Sequence, residues 1–194
     1  MTLAVVVAWL LTAVFAVLVL PCVRRLVRLD YVHLGPAVRN GDLAELLLVV
    51  AMIAMASPVG APIPAAGWQA ILVLTTGWFA FAWWRSRAEA GDVSRPHAAG
   101  CGHHALSAAA MLYLVTAMPH ADMTHGPWLT MSTGTGLALP VLAILGAVYF
   151  AADAVRSGFL AVRTRGRYSP GFTSRTVCRA VMGAGMGYML LAAL

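Results

Sequence analysis

The sequence predicts an all-α fold, a polytopic membrane bundle of six transmembrane helices. Three observations carry that expectation. The chain of 194 residues is 61% hydrophobic and only 10% charged, too little charge to wet the surface of a soluble domain of this length. The charge is clustered, with long uncharged runs between short arginine-bearing stretches. Six of those runs approach the 20 or so mostly apolar residues that a bilayer-crossing helix needs.

The expected spans, in order, run from about Thr2 to Val23, Leu43 to Val59, Ala65 to Trp84, Cys101 to Met118, Leu129 to Ala152 and Val177 to Leu194. They form a single domain over residues 1–194. The first span lacks a basic leader, and no small-residue cleavage site follows it. Arg24 and Arg25 close it like a stop-transfer flank, so it reads as a retained helix. The second span is short and opens with Asp42 and Glu45. The third ends in Trp83 and Trp84, as interfacial aromatic anchors do. The fourth opens with Cys101, His103 and His104. The fifth contains Pro140, which is expected to kink it. The sixth carries Gly183 and Gly187, a Gly-x-x-x-Gly pair that lets another helix backbone approach.

Orientation follows from the cations. All 13 are arginine, and they fall between the first and second spans, between the third and fourth, and between or beside the fifth and sixth. The alternate loops, around Gly60 and Ala121, carry none. The positive-inside rule then places the arginine-rich loops in the cytoplasm and both chain ends outside, in a multi-pass protein of the plasma membrane. Cys22, Cys101 and Cys178 all fall at cytoplasmic ends of spans, where thiols stay reduced. The net charge of +6 is therefore a topology signal. It forms no basic face on a soluble fold, and nucleic acid is not an expected partner.

The even spans resemble one another. Each follows a basic loop, opens with polar residues, then turns apolar with methionines: Met52 and Met55 in the second, Met111 and Met118 in the fourth, Met182, Met186 and Met189 in the sixth. Glu45 to Met52 and His104 to Met111 are each seven residues, nearly two helical turns, so each pair shares a face. Three helical hairpins in series are the implied architecture, with the even helices gathered at the centre.

The His103-His104 start followed by Met111 and Met118, the short Met-bearing second span, and the terminal segment from Met182 to Leu191 resemble the actinobacterial membrane family catalogued as domain of unknown function 5134. The resemblance covers nearly the whole chain. It implies a polytopic membrane protein and confers no activity.

Ten methionines raise the question of a soft metal, because thioether and thiolate sulfur suit Cu(I) and imidazole binds several transition metals. An outer loop gathers Met118, His120, Met123 and His125. The inner end of the same span holds Cys101, His103 and His104, and Met111 lies between. Met118 and Met111 are about 10 Å apart along a helix, so Met55 or Met186 from a neighbouring span must fill the gap in any copper path. The plain alternative is that these methionines pack, as flexible core fillers do, and that the outer loop is a solvated turn. Glu45, one turn inside the second span, is expected to pair with His104 or Arg179. Asp153 is expected to pair with Arg156 three residues on. No phosphate loop, catalytic triad or carboxylate pair stands out, so the expected protein is not an enzyme. Two readings of different class follow. One is a non-enzymatic membrane protein that handles a soft metal such as copper. The other is a structural or accessory subunit whose partner, beyond the lipid bilayer, is another membrane protein or a second copy of itself.

Overall fold

The computed structural model describes residues 3–57, 59, 64–88, 96–117, 139–163 and 172–194. Among them the chain is all-α, with seven helices: α1 (Leu3–Arg28), α2 (Tyr31–Leu34), α3 (Pro36–Ala56), α4 (Ala65–Ala88), α5 (Pro96–Ala117), α6 (Pro140–Arg163) and α7 (Phe172–Ala192). Two of them, α1 from Val5 and α6, are long and apolar enough to cross a membrane.

The breaks between helices have local causes. Arg25 and Arg28 lie in the last turn of α1, where cations meet the negative end of the helix dipole. Asp30 then caps α2, accepting a hydrogen bond from the Val32 N–H at 3.0 Å. Gly35 takes φ +87°, a conformation that costs glycine nothing. Pro36 follows at the first position of α3, where its missing N–H is no loss. Pro140 plays the same part at the first position of α6. This corrects the expectation of a kink: the proline starts the described helix. Helix α6 runs on past Ala152, the end of the fifth expected span, to Arg163. Arg156 and Arg163 are therefore helical. Helix α3 likewise extends back from Leu43, the start of the second expected span, to Pro36.

The most extensive helix contacts are α1 with α3, α4 with α5, and α6 with α7, three pairs of neighbours in chain order. Small residues set the closest of them. A Cβ at Gly183 would lie 3.1 Å from the Phe150 carbonyl oxygen of α6, and one at Gly187 would lie 3.5 Å from that of Ala147. Gly185 faces the other way, where a Cβ would collide with the Phe15 ring of α1 and sit 3.0 Å from Met52 Cε of α3. Helix α7 is thus pressed from both sides. One core runs through the bundle, including Phe15, Leu48, Met52, Met111, Phe150, Met182 and Met186. Outward faces are apolar too: Leu10, Val14 and Val17 on α1 and Leu142, Leu145 and Val148 on α6 are exposed.

Candidate metal centre

Three helices each bring two polar residues, three positions apart, to the same end of the bundle: Cys22 and Arg25 on α1, Asp42 and Glu45 on α3, Arg175 and Cys178 on α7. Residues at i and i+3 share a helix face and differ in depth by about one turn. Because α3 and α7 start at the end where α1 stops, the three pairs stack into two layers.

The outer layer is charged. Arg175 donates to Asp42 through Nε at 2.8 Å and Nη2 at 2.7 Å, the bidentate match of guanidinium and carboxylate. Tyr31 Oη donates to Asp42 Oδ2 at 2.8 Å, and Arg25 Nε lies 3.6 Å from Asp42 Oδ1. Partial burial pushes the Tyr31 hydroxyl up to about 12, and the Asp42 carboxylate it bonds adds to the rise.

The inner layer is different in kind. Cys22, Glu45 and Cys178 are all buried, and their sulfur and carboxylate ligand atoms lie within 4.8 Å of one another. Both cysteines are free thiols. Arg25 joins the layers: its Nη2 donates to Glu45 Oε2 at 2.7 Å and to Cys22 Sγ at 3.4 Å. Glu45 is 5% exposed, and its other oxygen, Oε1, is buried with no hydrogen-bond partner. A buried, unpartnered carboxylate oxygen is costly. The same carboxylate also offers an oxygen as a ligand atom beside the two thiols. The set offers two sulfurs and one oxygen, which suits a thiophilic transition metal. With both thiols ionised on binding, three negative charges face the single positive charge of Arg25. A divalent ion cancels the remainder.

Next to this group α5, α6 and α7 share a second ion cluster. Arg179 donates to both oxygens of Asp153, at 2.8 and 2.6 Å, and His103 Nδ1 lies 3.6 Å from Asp153 Oδ2. These contacts correct two expectations. Asp153 takes its partner across the helix interface, where the Arg179 fork reaches both its oxygens, and not from Arg156. Glu45 takes Arg25 of α1, since the i+3 position on that helix faces it, and not His104 or Arg179.

A pocket of about 230 Å³ lies alongside, lined among others by Gly41, Glu45, Cys101, His103, His104 and Met182. The structure therefore brings the expected inner residues Cys101, His103 and His104 together with Glu45 and Met182. Met52, Met55, Met111 and Met186 are buried in the core. Met118, His120, Met123 and His125 lie outside the described residues. Sequence reasoning placed Cys22 and Cys178 at the right end of the molecule and did not join them to Glu45. The signal was present as Cys-x-x-Arg, Asp-x-x-Glu and Arg-x-x-Cys on three helices that meet.

The family described as domain of unknown function (DUF5134) matches residues 37–193, most of the chain. The chain belongs to the DUF5134 family. The match takes in Asp42, Glu45, Arg175 and Cys178; Cys22 and Arg25 precede it. This DUF5134 chain found no match among curated proteins, and none among solved structures.

Proposed function

We propose that this is a non-enzymatic integral membrane protein that holds a thiophilic metal ion inside its helical bundle, at Cys22, Glu45 and Cys178. One observation carries the reading: two buried thiols and a carboxylate with an unpartnered oxygen converge within 4.8 Å. The charge count favours a divalent ion, which engages all three ligands. Copper, as Cu(I), would engage the two sulfurs and leave Glu45 to Arg25, one negative charge out of balance.

The membrane setting rests on the arrangement of polarity. Leu10, Val17, Trp78, Leu145 and Val155 are exposed while Arg25, Asp42 and Asp153 are buried. A water-soluble fold reverses that order, whereas in a bilayer ionisable residues face the bundle interior. We read α1, α3, α4, α5, α6 and α7 as the six spans, with the arginine-rich end in the cytoplasm. In intact cells an impermeant thiol reagent should reach Val59→Cys and not Val32→Cys; the reverse pattern reverses the orientation.

The metal reading is tested by elemental analysis of the purified protein, as isolated and after separate loading with zinc and Cu(I). One ion per chain is expected, lost in Cys22→Ser and in Cys178→Ser. Glu45→Gln should weaken binding of a divalent ion by about 10- to 100-fold and leave Cu(I) nearly unaffected. Wild-type protein that retains no metal under either loading overturns the proposal.

A further inference from the structure

We propose that the pocket beside the metal centre is its access route, with His104 as the ligand that receives the ion before Glu45 passes it to the two thiols. This inference rests on the metal reading of Cys22, Glu45 and Cys178. The observation behind it is that Glu45 belongs to both places. It is one of the three converging residues, and it lines the pocket, whose described lining includes neither Cys22 nor Cys178.

The lining gives the pocket a direction. On α3 it runs through Ala37, Gly41 and Glu45, steps of four residues and so one helix face, descending about 12 Å from the helix start. On α7 it runs from Arg175 through Arg179 to Met182, again one face and again inward. The pocket is thus a well whose deep end holds Glu45 and Met182.

Its walls could take the place of water around an ion. His104 lines it, and His104 Nδ1 is buried with no hydrogen-bond partner. The other ring nitrogen, Nε2, stands 3.8 Å from where a Cβ on Gly41 would be, so the imidazole borders the open strip left by that glycine. Cys101 and Met182 add sulfur to the lining. An ion that sheds its water needs replacement ligands at each step. Imidazole, then carboxylate, then two thiolates is a series of rising negative charge that ends on the softest donors. The final hand-over releases one proton from each of Cys22 and Cys178 to the aqueous end, while Glu45 stays an ionised carboxylate.

Gly41 supplies a test that replaces none of the proposed ligands. Full-length protein in detergent is mixed with Cd²⁺, and thiolate-to-metal charge-transfer absorption is followed in time. Wild type should develop the band to one ion per chain. Gly41→Leu fills the well and should reach the same amplitude at a rate lower by about tenfold or more. His104→Leu leaves the opening and removes the receiving ligand, so it too should slow loading at full amplitude. Absence of the band in wild type would defeat the metal reading itself. A wild-type band with unchanged rates in both variants would overturn the access route alone. Should Gly41→Leu lose amplitude through misfolding, the rate of His104→Leu decides.

Discussion

At the end of the bundle where α1 stops and α3 and α7 begin, the interior holds Arg25, Asp42, Glu45 and two thiols; toward the other end Met55, Met186, Met189 and Leu190 fill it. The two regions sit on the same helices and are closed by the same α7. They differ in what holds them. In the apolar end each side chain needs only volume and shape, and methionine adapts to both. In the polar end each charge must find a partner, because an isolated buried charge costs several kcal/mol. Asp42 and Asp153 meet that demand with bidentate arginines. Glu45 meets it by half: one oxygen takes Arg25 and the other is left without a hydrogen bond. The contrast teaches where to look for function: at the atom that the surrounding pairs leave unused.

The largest expected effect breaks the polar end. Arg25→Met removes the cation that bridges both layers and leaves Glu45 and part of Asp42 uncompensated. It should destabilise the fold by about 3–5 kcal/mol, read by denaturant unfolding in detergent. Adding Glu45→Gln should recover a large part of that loss. If Arg25→Met costs no more than a surface change, the buried ion layer is not what holds this end.

The second effect is steric and concerns the helix that serves both ends. Gly185→Ala places a methyl group against Phe15 and Met52 and should cost about 1–3 kcal/mol. Phe15→Leu in the same chain should relieve part of it, and thermal unfolding of the two variants measures the coupling. Independent effects that simply add would mean that α1 and α7 do not meet at this point.

Met111→Leu probes the apolar end. It conserves volume and removes sulfur, so it should cost less than about 1.5 kcal/mol and leave metal stoichiometry unchanged. Loss of the ion in this variant would return the site to the methionine path that the sequence suggests.

The smallest effect is a pH dependence. Tyr31 is pushed up to about 12 by partial burial and by its bond to Asp42, above the unfolded value of about 10. A raised folded value favours the protonated hydroxyl in the native state. That contribution is complete below pH 10 and is lost as pH rises toward 12. Tyr31→Phe should flatten this alkaline limb, measured as melting temperature against pH, and an unchanged slope would remove Tyr31 from the outer layer.

The helices themselves were legible in the sequence because long apolar runs bounded by arginine admit little else. The close approach of α6 to α7 was legible in Gly183 and Gly187. The start of α6 was not, because apolar composition continues through Leu137 and Leu139 without a break while Pro140 alone marks the first turn of the described helix. Pairing was the least legible part. Asp153 has Arg156 three residues away along the chain and Arg179 twenty-six away, and sequence spacing sees only the first. Which helix face meets which neighbour is decided by packing, through Gly185 against Phe15 among others. The group of Cys22, Glu45 and Cys178 is assembled by that packing from α1, α3 and α7, so each of the three residues looks ordinary in its own segment.

The placement of Cys178 on α7 has a consequence for how the molecule is made. Cys22, Arg25, Asp42 and Glu45 leave the ribosome on the first two long helices, while Arg175 and Cys178 arrive on the seventh. Through most of synthesis the nascent α1–α3 hairpin carries two carboxylates against one guanidinium, with one thiol facing an unfilled side. Only when the last helix inserts beside Phe15 does the second thiol complete the pair and Arg175 neutralise Asp42. On the proposed metal reading, an ion could find all three ligands together only after α7 has packed against α1 and α3.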